Sequence, residues 1–245
     1  MSQSDYGNTQ WNNIYKIGGV AALSAVLVGI LEIMITFLPG GNASQETVLD
    51  WFLLFQENWF MGLRNLGLLN IILNGLGIFS FFAIYAAHRQ NAYRPWATLA
   101  MIISFLGVGV FFATNRAFPM LDLSKQYTAA TSEAERAVLA AAGQAMLSVG
   151  QSHTPGTFLA FFLSEVAGIM ISIVMLRSMV FSKATAVVGI IGFGFFMIFE
   201  VLASFVSGLS GLTMAIAMLG GLLSLAWYIL IARRLFQLGR GPLEE

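Results

Sequence analysis

Six continuous apolar runs, each long enough to cross a bilayer, constrain this chain more than anything else in it. They cover residues 15–38, 66–87, 95–117, 157–176, 184–206 and 212–232. A membrane-spanning helix needs ~20 mostly apolar residues to cross ~30 Å of hydrocarbon. Only helices and closed barrels satisfy every backbone group in lipid. These runs do not alternate in polarity, so they predict helices rather than barrel strands. The expected fold is all-α: a polytopic membrane protein of six transmembrane helices. Composition agrees, since charged residues make up 10% of the chain against about 25% in a soluble domain.

The basic residues give the spans a direction. Lys16 lies at the start of the first; His88, Arg89 and Arg94 lie between the second and third; Arg177 and Lys183 lie between the fourth and fifth; Arg233, Arg234 and Arg240 follow the sixth. With six spans all four groups fall on one side, which the positive-inside rule makes the cytoplasm. Both termini are therefore expected in the cytoplasm of a multi-pass protein of the cell membrane. Residues 1–14 and 233–245 are its tails, and 15–232 its membrane domain. The polar N-terminus reads as a tail leading into an uncleaved first span. Trp11, Trp96 and Trp227 are expected as interfacial anchors.

Two long connections, 39–65 and 118–154, fall on the outer side. The first holds "SQETVLDWFLLFQENWFMG", with Ser44 as a candidate N-cap and Glu46 and Asp50 near the helix start. It predicts a short helix in the membrane interface. The second holds "TSEAERAVLAAAGQAML". Ser132 and Glu135 have capping-box spacing, and Val138, Leu139, Ala142 and Met146 recur at helical intervals. Two short amphipathic helices are thus expected on the outer side. Thr154 and Pro155 are expected to open the fourth span as N-cap and first helical residue.

The candidate functional residues are polar groups inside the spans. Glu165 falls near the middle of span four. Glu32 and Glu200 lie in the outer halves of spans one and five. Asn70 and Asn74 share a face of span two. Arg64 opens that span, Asn115 and Arg116 end span three, and His153 precedes span four. Nine polar residues thus favour one leaflet. Charge in a bilayer costs at least ~2.5–3.5 kcal/mol and usually faces a bundle interior or a water-filled space. The expectation is a polar pocket open to the outside, with Glu165 deepest and Arg64 and Arg116 either pairing with Glu32 and Glu200 or receiving an anionic ligand. Its ligand would be small and polar or cationic, or a proton, with binding or transport as the function.

Two other readings stay open. The polar groups could serve only to bond helices in a structural or sensory subunit. A glutamate could also act as general base in a membrane-embedded enzyme on a lipid-like substrate, which would need a nucleophile or metal beside Glu165.

Other chemistry is excluded on specific grounds. Zero cysteines remove disulfides, zinc–thiolate sites and iron–sulfur clusters. His88 and His153 fall on opposite sides, so they share no metal, and no cofactor is implied. "GLSG" at 208–211 matches the Gly-x-Ser-Gly of rhomboid proteases, but no histidine follows Ser210 to act as its base. Zero net charge argues against a nucleic-acid partner. The partner that the sequence implies is the lipid bilayer.

The stretches "GLLNIILNGLG" (67–77), "ATNRAFPMLDLSKQY" (113–127), "GQSHTPGTFLAFFLSEVAG" (150–168) and "WYILIARRLFQLG" (227–239) carry a resemblance. Together with the six-span plan and its long second outer connection, they resemble a family of uncharacterised bacterial integral membrane proteins, a domain of unknown function. The resemblance implies a bacterial or archaeal inner membrane and assigns no catalytic residue.

Overall fold

The computed structural model describes residues 3–37 and 45–240, with side chains from residue 10 onward. The described residues form ten helices: α1 (Gln3–Thr36), α2 (Val48–Glu57), α3 (Trp59–Asn65), α4 (Leu68–His88), α5 (Arg94–Thr114), α6 (Ala117–Ala129), α7 (Glu133–Gly150), α8 (Phe158–Ser178), α9 (Lys183–Phe205) and α10 (Ser210–Gly239). Six of them, α1, α4, α5, α8, α9 and α10, are long and apolar enough to cross a membrane. The chain is an all-α, multi-pass integral membrane protein.

The long helices form a ring. α1 packs on α4, α4 on α5, α5 on α8, α8 on α9, α9 on α10, and α10 returns to α1. Short links make α4–α5, α8–α9 and α9–α10 antiparallel hairpins. Small residues allow close approach where lipid supplies no hydrophobic drive. The face Ala160, Ser164, Gly168 and Ser172 works this way: Gly107 of α5 faces Ser164 and the Ala160 carbonyl, and the Phe193 ring of α9 fills the space over Gly168.

One end of the ring gathers the helix ends nearest the chain termini. There Tyr15 donates to the Ala86 carbonyl at 3.2 Å, and Arg234 to the Val180 carbonyl at 2.8 Å. His88 is fully buried. Its Nδ1 lies 2.8 Å from the Ile84 carbonyl and its Nε2 2.9 Å from Ser178 Oγ. A carbonyl only accepts, so Nδ1 carries the hydrogen and Nε2 is free to accept from the serine. This histidine bonds α4 to α8.

The opposite end carries a helical cap with its own core. On α2, Val48, Trp51, Phe52 and Phe55 recur at i, i+3, i+4 and i+7, and all four are buried. Each such burial is worth roughly 1.5–3 kcal/mol. They pack with Leu63, Leu66, Ala117, Met120 and Leu147. Ser124 of α6 donates to the Phe52 carbonyl at 2.9 Å. The face of α2 that carries these four residues thus meets α6 and α7, while Leu49 and Leu53 stay exposed.

Four details differ from the sequence expectations. Each expected cap helix has a companion, α3 beside α2 and α6 beside α7. The α2 N-cap is Thr47, which forms a capping box with Asp50; Ser44 lies outside the described residues. α8 begins at Phe158 behind Thr157, because Thr154 and Pro155 belong to a preceding turn in which Thr157 Oγ1 donates to the Gln151 carbonyl. Trp227 is no interfacial anchor. α10 continues to Gly239, which puts Trp227 well inside the helix and fully buried.

Candidate functional site

The nine polar residues separate into local groups. Glu32 and Arg64 form one. Arg64 Nη2 lies 2.6 Å from Glu32 Oε1, with the arginine side chain 6% and the glutamate 37% exposed. Arg64 also donates to Thr36 Oγ1, to the Glu32 carbonyl and to Asn65 Oδ1. This pair ties the cap, through α3, to the end of α1.

Asn115 and Arg116 terminate α5. Asn115 Nδ2 donates to the Leu66 carbonyl at 2.9 Å, and its Oδ1 accepts from the Ala117 amide at 3.1 Å. One side chain thus breaks the helix between α5 and α6 and bonds the break to the start of span two. Gly67 sits against it with φ +92°, facing Asn115 Nδ2 and Ser152 Oγ. Arg116 donates to the Ala113 and Asn115 carbonyls; the expected pairing with Glu200 does not form. Asn74 Nδ2 donates to the Asn70 carbonyl one turn back on α4.

The remaining three residues make a different kind of site. Glu200 Oε2 lies 2.7 Å from His153 Nδ1, with the glutamate side chain 2% and the histidine 36% exposed. Ser204, one turn along α9, donates to Glu200 Oε1 at 3.2 Å. His153 lies in the α7–α8 link with φ 57°, a left-handed conformation uncommon for residues other than glycine. Its ring sits between Phe161 at 4.5 Å and Phe199 at 4.8 Å. Two aromatic walls and a carboxylate therefore hold the imidazole at the cap end of α8 and α9.

Glu165 lies deeper. α8 and α9 run antiparallel, with Gly168 facing Phe193 and Ser172 facing Gly189. That register sets Glu165 level with Phe196 and Glu200 level with Phe161, about one helical turn or ~6 Å apart along the axis. Glu165 and Glu200 are within electrostatic reach of each other, and Glu165 is within reach of Tyr228 on α10. Glu165 is half-buried. Its Oε2 is sealed from solvent and has no hydrogen-bond partner among the described residues. This is the reverse of Glu32, whose carboxylate is bonded to an arginine.

Sequence reasoning missed Ser204, Tyr228, Ser172 and Trp227. Ser204 had a signal, since it lies four residues after Glu200 and shares its face. Tyr228 and Trp227 had a weaker one: polar-tipped aromatics inside a span need a partner. Among the described residues no group of three or more His, Cys, Asp or Glu is placed to hold a metal ion. The arrangement can accept, hold and pass protons, or attract a small cation. No protein-family model, curated protein or solved structure matches the chain.

Proposed function

We propose that this membrane protein binds and moves protons or small cations at Glu165, with Glu200 and His153 as the approach to it. One observation carries the reading: a carboxylate inside a membrane span has a sealed, unpartnered oxygen and a second carboxylate about one turn away. An intramembrane acid that only bonded helices would be paired, as Glu32 is. His153 suits the first step, because its imidazole joins a partly exposed position to a buried carboxylate and its ring nitrogens can take up and give back a proton. By the positive-inside rule the end bearing His88, Arg89 and Arg234 faces the cytoplasm, so the cap and His153 face outward. The resemblance on residues 67–77, 113–127, 150–168 and 227–239 favours a bacterial or archaeal inner membrane.

A bonding role is the better reading for the other six residues, Glu32, Arg64, Asn70, Asn74, Asn115 and Arg116. The bonds described for them tie the cap and the helix ends in place.

The test uses a hydrophobic carbodiimide, which activates protonated carboxyl groups within membranes. On the purified protein in lipid vesicles, mass spectrometry should find the adduct on Glu165, and a small cation or high pH should slow its formation. Modification elsewhere with Glu165 untouched would sink the proposal.

A further inference from the structure

Several buried side-chain nitrogen and oxygen atoms have no hydrogen-bond partner among the described residues. Apart from Arg136 Nε and Ser152 Oγ they are Glu165 Oε2, Ser172 Oγ and Trp227 Nε1, and these three lie along the seam where α8 and α10 each pack against α9. Ser172 lies seven residues after Glu165, on the same face of α8 and ~10 Å further along. Ser172 and Trp227 are both fully buried. Their polar atoms crowd the same spot, since a Cβ on Gly189 would collide with Ser172 Oγ and with the Trp227 indole nitrogen. Leaving a donor unmade in such a place costs ~1–3 kcal/mol. Polar atoms left so in native structures are commonly met by ordered water.

We propose that a proton path runs from Glu165 along this seam to the end of the bundle near the termini, carried by Tyr228, Ser172 and buried water. The inference rests on Glu165 being the proton-binding group. Between Glu165 and Ser172 lies an apolar layer. The Phe193 ring fills the space over Gly168 and stands edge-on to Trp227 at 4.8 Å. Tyr228 is the group that passes this layer. It follows Trp227 on α10, with the two rings 5.1 Å apart. Side chains on a helix lean toward its N-terminus, which for α10 is the cap end. The phenol therefore leans from the level of Ser172 back toward Glu165.

Below Ser172 the seam continues on α9. Thr185, one turn before Gly189, is buried, and its Oγ1 lies 2.8 Å from Ser182 Oγ. Ser182 is exposed at the end of the bundle, which gives the path an exit. Each transfer breaks one O–H bond and forms another, so one proton enters at the cap end for each one leaving at Ser182. Hydroxyls and water both donate and accept. The indole N–H only donates, so Trp227 orients a water without relaying.

The experiment traps a pH-sensitive dye in vesicles holding the purified protein and applies a potassium diffusion potential. Wild-type vesicles should conduct protons. Glu165→Gln should abolish this conduction, and Ser172→Ala and Tyr228→Phe should each slow it at least about tenfold. Carbodiimide labelling of Glu165 should persist in both seam variants, which also shows that they fold. Conduction equal to wild type in both seam variants would overturn the path. So would wild-type vesicles no leakier than lipid alone. If Glu165 still labels in either case, the path alone fails; if it does not, the reading of the site fails with it.

Discussion

His153 Nδ1 lies 2.7 Å from Glu200 Oε2, which joins a partly exposed imidazole to a carboxylate side chain that is 2% exposed. A carboxylate this deep is tolerable because it is bonded twice, to His153 and to Ser204. Removing one partner leaves the other group buried and unmet. His153→Ala should therefore destabilise the protein by about 1–3 kcal/mol. His153→Gln, which keeps a donor, should recover much of that. Thermal unfolding in detergent compares the two, and equal stability of wild type and His153→Ala would show that the bond carries no weight.

Glu32 and Arg64 give a second stability experiment with a built-in asymmetry. Arg64 donates to Glu32, to Thr36 and to the Glu32 carbonyl, so its loss frees several acceptors at once. Arg64→Ala should cost more than Glu32→Gln. A double-mutant cycle should give a coupling of about 0.5–3 kcal/mol, the range for residues in one network. Additive effects would mean that the pair contributes nothing beyond its separate parts.

Asp50 supplies a pH prediction outside the spans. Its bonds with the Thr47 hydroxyl and amide hold its carboxyl below the ordinary value of 3.8. The folded pKa is depressed, so the stabilisation is present above the unfolded pKa and fades as pH falls through the folded one. Hydrogen exchange at the first α2 amides should stay protected at pH 5 and loosen only below about pH 4. Asp50→Asn should remove that pH dependence. A wild-type profile already loosening near neutral pH would contradict the capping box.

Much of the fold could be read before any coordinates, because span length and continuous apolarity are local properties of the chain. A helix long and apolar enough to cross a membrane lies over each of the six apolar runs. The site was less legible, for a physical reason. Sequence gives each polar residue a depth but not a partner, and partners decided everything. Arg64 and Arg116 look alike beside the membrane, yet one meets a carboxylate and the other the carbonyls at the end of α5 just before it. Trp227 reads as an anchor because the apolar run 212–232 ends five residues beyond it. Only the continuation of α10 to Gly239 places it in the core.

The absence of cysteine makes the last prediction direct, since single cysteines need no background removed. Pro155, in the link that carries His153, and Gln90, beyond His88, are both exposed, and they lie at opposite ends of the bundle. In intact cells a membrane-impermeant thiol reagent should label Pro155→Cys and spare Gln90→Cys; the reverse would invert the topology. Glu165→Cys then tests the interior. If water reaches the site from the cap end, position 165 should react, more slowly than 155, and a bulky side chain at His153 should slow it further. A cysteine at 165 that stays unreactive while 155 labels would mean that the seam is closed from outside. Glu165 would then be a group sealed among helices, and the case for it as a site of uptake would fall.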